Sequence, residues 1–206
     1  MTWAKDFYTL EFANLFLDSH PPTDQDIDFI TTVCKLERGM HILDQCCGNG
    51  RLSHSLLDKG YNVTGVDIID DYIVSARQKC KGGDFFCDNA ANFKPDTEYD
   101  AVINWWTSFG YGETPADDLK ILHAAFHVLK PGGFYILDIP NAAYCRNVFS
   151  STKKTRHTRD INGTQTTWES WLSKDHKKVI KSWSHKKHNG DLHEQTGGGI
   201  RLYDRS

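Results

Sequence analysis

The sequence predicts an α/β fold: a doubly wound, mostly parallel sheet with flanking helices, followed by a C-terminal antiparallel β lid. Three observations carry this expectation. Apolar strand-like runs alternate with amphipathic helical segments up to about residue 138, and a Gly-rich turn joins the first strand to its helix. Beyond residue 141 the chain becomes rich in Thr, Trp, Val and Ile with hairpin signals. A sheet of this kind binds ligands at the carboxyl ends of its strands, where strand order reverses. With 206 residues, 39% apolar and 25% charged, the chain suits a single folding unit with a sizeable core. Residues 1–140 read as the core and 141–206 as the lid.

Taken in order, Trp3, Phe7, Tyr8, Phe12, Leu15 and Phe16 suggest an aromatic amphipathic helix, docked on the sheet edge or lying over the site. Thr23, followed by Asp24 and Asp26, reads as a helix cap, with Ile27, Ile30 and Cys34 on the buried face. His41-Ile-Leu-Asp-Gln-Cys-Cys-Gly-Asn-Gly-Arg51 is an apolar strand running into Asp44 and then a turn that opens a helix. Glycines at 48 and 50 let backbone N–H groups approach a ligand, and the helix offers its positive end. Leu52, Leu56 and Leu57 form that helix's buried face, and Gly60 suits its stop. The next strand, Tyr61 to Asp67, ends in an acid 23 residues after Asp44, against the roughly 20 expected when such an acid takes ribose hydroxyls. Asp70 or Asp71 can cap a helix with Ile73, Val74 and Ala76 inside. Gly83–Asp88 and Tyr99–Trp105 read as strands three and four, and Leu119, Leu122, Phe126 and Leu129 as a helical face. Lys130-Pro-Gly-Gly then turns the chain into a fifth strand ending at Asp138. Three lid strands are expected at 164–173, 178–187 and 192–203, with Asn189-Gly190 making a tight turn.

The spelling of the turn decides between nucleotides. A dinucleotide fingerprint read from Gly48 needs glycine at Ser53, and read from Cys46 it needs glycine there and at Arg51, so NAD is excluded in both registers. Asp44-Gln-Cys-Cys-Gly-Asn-Gly50 instead resembles the acidic glycine turn of class I S-adenosylmethionine-dependent methyltransferases, with Cys46 in place of the family's first glycine. The Asp67, Asp88, Asn104 and Lys130–Asp138 landmarks follow in the family's order. The resemblance covers about residues 36–140 and implies the strand order 3-2-1-4-5. It implies S-adenosylmethionine as cofactor, with Asp44 orienting the turn and the methionyl amine. Cys46, Gly48 and Gly50 then border the methionyl portion. It further places Asp67 on the ribose, Ile68 on the adenine, Asp88 and Asn89 at the adenine amino group and ring, and Asn104 at the methionyl amine. Trp105 or Trp106 would wall the sulfonium, and Tyr8, Trp105 and Tyr111 would meet the substrate.

Methyl transfer is an in-line displacement in which the protein mainly supplies alignment and exclusion of water. If the acceptor must lose a proton, His185, His193, Glu113 or Tyr111 could take it; no catalytic residue is assigned. Antiparallel insertions like the lid occur in small-molecule methyltransferases such as sugar N,N-dimethyltransferases, so a small-molecule N or O acceptor is expected. The Asn104-Trp-Trp-Thr107 sequence lacks the Asn-Pro-Pro-aromatic motif of base-amino methyltransferases. Lys177, Lys178, Lys181, Lys186 and Lys187 make the lid basic, yet the chain's formal net charge is −3, so nucleic acid is disfavoured. A nucleic-acid or protein methyltransferase using the basic lid, and a non-catalytic cofactor-binding module, are the alternatives.

Six cysteines without C-x-x-C or zinc-like spacing point to reduced thiols and no metal. No secretory signal pattern and no apolar run near the ~18 residues of a membrane span is present, so a cytoplasmic protein is expected and the Asn162 sequon carries little weight. The family normally continues past a segment like Gly199–Tyr203 with a helix and two strands. The sequence therefore reads as C-terminally truncated, with a homodimer through the lid or the fifth strand's edge as one way to cover it.

Overall fold

The computed structural model describes residues 2–161, 163–186 and 190–204. Asn162 of the sequon and residues 187–189 of the expected hairpin turn lie outside them. Short helices α1 (Thr2–Phe7) and α2 (Leu10–Phe12) run into a π turn at Ala13–Leu17 and are followed by α3 (Asp24–Val33). Thr23 starts α3 with a capping box: its hydroxyl accepts from the Asp26 N–H, and Asp26 accepts from the Thr23 N–H at 2.8 Å.

The parallel sheet has the order β3-β2-β1-β4-β5, built from β1 (His41–Gln45), β2 (Asn62–Asp67), β3 (Asp84–Cys87), β4 (Tyr99–Asn104) and β5 (Leu129–Leu137). Its crossovers are α4 (Arg51–Asp58), α5 (Asp70–Lys79) and α6 (Pro115–Val128). Because β1 is covered on both faces, successive side chains enter different cores. Ile42 packs with Ile27, Ile30, Leu52 and Leu56, while Leu43 packs with Val66, Val102, Ala125 and Val128. Strand order reverses between β1 and β4, which places the switch point at Gln45–Cys46 and Asn104–Trp105. In β5 the Pro131-Gly-Gly133 segment bulges out, since Leu129 pairs with Tyr99 but Phe134 already pairs with Ala101.

Several local expectations shift. Ile69, not Asp70 or Asp71, occupies the cap of α5, and Val74 is exposed while Tyr72 is buried. On α6 the sheet meets Ile121, Ala125 and Val128, leaving Leu119 50% and Phe126 73% exposed. The helix is rotated by about one side-chain row from the face that leucine spacing suggested.

The lid region starts with a helix, α7 (Ala142–Thr152), and a strand, β6 (Lys154–Ile161), that the sequence reading did not separate out. The expected strands appear as β7 (Thr164–Leu172) and β8 (Lys178–Lys186), but the last one divides into β9 (Leu192–Thr196) and β10 (Ile200–Arg201), both paired to β8. Gly197 and Gly198 cause the break: their backbone lies under the Trp3 indole, and a Cβ on Gly198 would sit 2.6 Å from Trp3 Nε1. Trp183, buried on β8, donates its indole N–H to the Phe7 carbonyl at 3.1 Å, and its ring meets Phe12 and Phe16. The N-terminal aromatics thus join the lid sheet to the parallel sheet. A second tie is the buried Asp118 carboxylate, which accepts from Arg201 Nε, the Tyr203 hydroxyl and the Gly112 N–H.

Candidate active site

The turn after β1 is held by backbone angles that ordinary residues avoid. Gly48 and Gly50 have φ of 56° and 85°, and Cys46 itself sits at φ 65°. A cysteine in that region accepts a strain of about 1–2 kcal/mol. The turn is also bolted to the end of β2: the Cys47 N–H donates to the Val66 carbonyl, and the Gly48 N–H donates to Asp67 Oδ2 at 2.9 Å. Asp67 Oδ1 accepts from the Ile69 N–H at 3.0 Å. Burial raises the Asp67 carboxyl pKa, and these backbone donors oppose the rise. Each carboxylate oxygen keeps a lone pair for a further donor.

The two glycines do different work. A Cβ on Gly48 would meet only the Tyr72 ring edge at 3.9 Å, so there is open space above its backbone. A Cβ on Gly50 would lie 2.7 Å from Cys80 Sγ and 3.1 Å from Ala76 Cβ. Gly50 therefore exists for close packing of the turn on α5. Gly50, the N-cap of α4, has no side chain to cap the helix, so the helix's positive end is open towards a ligand, while Asp44 takes a backbone hydrogen bond from Ser53 in the first turn.

A cavity of about 150 Å³ opens over this turn. Among the residues singled out from sequence, Tyr8, Cys46, Gly48, Asp67, Ile68, Asn89, Trp105, Trp106 and Tyr111 line it. Asp44, Gly50, Asp88 and Asn104 do not. Asp44 is buried beneath the turn, where Oδ2 accepts the Ser53 hydroxyl at 2.6 Å and ties β1 to α4. Burial pushes its pKa up to about 7, the nearby Asp67 charge adds to this and the Ser53 bond opposes it. Ser53, the residue that breaks the dinucleotide fingerprint, is thus the carboxyl's partner. Asp88 is exposed and accepts the Asn89 N–H. Asn104 is fully buried; its side chain donates to Gln45 Oε1, and its backbone carbonyl accepts from the Asp138 N–H.

Arg51 is the main addition, and it lies against Trp106. The Arg51 guanidinium lies 4.0 Å over the Trp106 ring, so that face already holds a cation and Trp105 is the freer wall. Arg51 also donates to the carbonyls of Leu17 and His20, and Asn49 donates to Asp18 at 2.8 Å. Together they fasten the segment after the π turn across the cavity mouth. Tyr8 and Tyr111 close the opposite side with a 2.5 Å hydroxyl–hydroxyl bond. Burial pushes the Tyr8 phenol up to about 12 and raises Tyr111 well above the ordinary phenol value, so both stay neutral. Of the four bases considered from sequence, Tyr111 alone lines the cavity. Glu113 is exposed, and His185 is buried with Nε2 2.9 Å from Glu11.

The comparisons agree with this architecture. Residues 42–133 match the methyltransferase domain family. The chain is 29% identical over 190 residues to a putative methyltransferase, YqeM, of Bacillus subtilis, covering 89% of this chain and 75% of that protein. A solved S-adenosylmethionine-dependent methyltransferase of Clostridium acetobutylicum superposes with a TM-score of 0.75 at 20% identity, over 94% of this chain and 80% of that one. The sugar N-methyltransferase KedS8 of Streptoalloteichus superposes at 0.70 with 16% identity, over 86% and 72%. Among the described residues no helix is long and apolar enough to cross a membrane. Residues 42–133 thus carry a methyltransferase domain, laid on a 3-2-1-4-5 sheet with its glycine turn bolted to the acid of the second strand, and the chain has the fold of the S-adenosylmethionine-dependent methyltransferases on which it superposes.

Proposed function

We propose that the cavity above Gly48 holds S-adenosylmethionine and that the enzyme methylates an N or O atom of a small molecule. The observation that carries this reading is the Gly48 N–H bonded to Asp67 with open space above the glycine. Asp67 would take the ribose hydroxyls on its remaining lone pairs, and Ile68, Ile69 and Ala90 offer an apolar wall to the adenine beside the Asn89 backbone. Cys46, Gly48 and the N-terminal end of α4 would face the methionyl end, while Asp44, Gly50 and Asn104 position the turn from beneath. Asp88 reaches the adenine amino group only from the rim.

When bound, this cofactor supplies an electrophilic methyl group on a positively charged sulfur. The chain's part is alignment and dryness: Trp105, Tyr8 and Tyr111 cover the reacting end, and Arg51 and Asn49 hold the N-terminal segment across the mouth. A small acceptor suits the lid of residues 141–206 over the core of residues 1–140, and the similarity to a sugar N-methyltransferase supports it. Against a nucleic-acid role, Lys181 faces a cavity instead of extending a basic surface stripe. Calorimetric titration with S-adenosylhomocysteine tests the reading. Binding is expected for the wild type and lost in Asp67→Ala, with no binding of NAD; NAD binding, or an unaffected variant, would overturn it.

A further inference from the structure

A second cavity, of about 280 Å³, lies between α7 and the lid sheet. Its wall includes Thr107, Cys145, Phe149, Ser170, Val179 and Lys181. Thr107 follows Trp105 and Trp106, which line the first cavity, so the two spaces meet at the 105–107 segment. In that segment Trp106 and Thr107 stand at φ 58° and 61°, and their backbone N–H groups oppose the rise that burial gives the Asp138 carboxyl pKa. A methyl acceptor must lie within reach of the cofactor's reactive end, and this cavity is the adjoining room.

One feature sets its chemistry. Lys181, in the middle of β8, is the cavity's one cationic lining residue, and no carboxylate lines it. Among the described residues Lys181 has no ion-pair partner, and the nearest acid to influence it, Asp138, is engaged by the two backbone donors. Burial lowers the Lys181 pKa, with Cys145 and Asp138 opposing. Lys181 is half-buried, and an ammonium group partly withdrawn from water without a counter-charge is stabilised when an anion joins it. The apolar Val179 and Phe149 flank it, as a ligand pocket with one fixed polar anchor requires.

We infer that this cavity is the acceptor site and that it takes an acidic small molecule, with the acceptor's carboxylate on Lys181 Nζ. The inference rests on the methyltransferase reading for calling the occupant an acceptor, but the site's preference for a carboxylate can be measured independently. Benzoate and its neutral analogue benzyl alcohol are the probes, titrated by ligand-observed NMR into the protein with and without saturating S-adenosylhomocysteine. Benzoate is expected to bind about tenfold or more tightly than benzyl alcohol. Lys181→Met should erase the difference, and Cys145→Trp, which fills the cavity from α7, should block both probes. Both variants should bind S-adenosylhomocysteine as the wild type does, which also shows that they fold. Equal binding of the two probes, or a benzoate preference that survives Lys181→Met, would overturn the inference. A preference for benzoate in a protein that ignores S-adenosylhomocysteine would keep the anion site and sink the methyltransferase reading instead.

Discussion

Gly48 and Gly50 sit two residues apart in one turn and both have positive φ, yet alanine at each should fail differently. At either position the left-handed backbone costs an L-residue about 1–2 kcal/mol. At Gly48 nothing more is added, because the new methyl enters open space 3.9 Å from Tyr72. At Gly50 the methyl lands 2.7 Å from Cys80 Sγ and 3.3 Å from Ala76 Cα, and Cys80 is itself fixed by donating to the Gly50 carbonyl. Helix α5 must move, an overpacking term of about 1–3 kcal/mol. Gly50→Ala should therefore lose about 2–5 kcal/mol and Gly48→Ala about 1–2 kcal/mol, read from denaturant unfolding followed by tryptophan fluorescence without ligand. Binding should show the reverse order. In samples held below their unfolding midpoints, Gly48→Ala should weaken S-adenosylhomocysteine by about tenfold or more, since its methyl occupies the ligand side, and Gly50→Ala should weaken it less. If Gly50→Ala proves no less stable than Gly48→Ala, the division of labour between the glycines is wrong.

Other parts of the molecule give further expectations. The Asp44 pKa, about 7 in the folded protein against 3.8 for a free side chain, means the folded state holds a proton that the unfolded chain gives up. Its stabilising contribution is thus complete below about pH 4 and fades as pH rises through 7. Asp44→Asn should flatten the corresponding slope in a pH series of unfolding free energies; a variant that keeps the wild-type slope would refute this origin. Asp118→Ala leaves the Arg201 guanidinium, 12% exposed, without its carboxylate and should cost about 3–5 kcal/mol in thermal or denaturant unfolding. The Tyr8–Tyr111 bond joins the N-terminal segment to the loop after β4. A double-mutant cycle with phenylalanine at both positions should give a coupling of about 0.5–1.5 kcal/mol in stability, and additivity would mean that the hydroxyl contact is not formed in solution.

The framework was legible because it rests on periodicity and turn chemistry. β1, β2 and β4 announce themselves as apolar runs, Thr23 and Asp26 as a cap, and the 44–50 turn as a close-approach loop. Where several readings of one pattern were available, the structure chose by contact. Leu119, Leu122 and Phe126 obey helical spacing as well as Ile121, Ala125 and Val128 do, but it is the second row that is buried, with Ala125 and Val128 packed in the core of Leu43 and Val102. Asp44 and Asp67 look alike in sequence, each an acid at a strand's end. Asp67 borders the cavity while Asp44 is covered by Ser53, and which one meets solvent depends on how the intervening turn folds back on β2.

Charged residues turned inward were the hardest to find, for a physical reason. Spacing and composition treat Arg and Lys as solvent-facing, because burying an unpaired cation is unfavourable. Arg51 evades that default by laying its guanidinium on Trp106 and donating to carbonyls of the N-terminal segment, contacts made across more than thirty residues of sequence. Lys181 evades it differently. It sits in an alternating strand whose lysines read as a solvated face, yet the packing of α7 against β8 turns that position into a cavity wall. The two cations that sequence reasoning assigned to turn and surface are therefore those the fold places at the mouth of one cavity and inside the other.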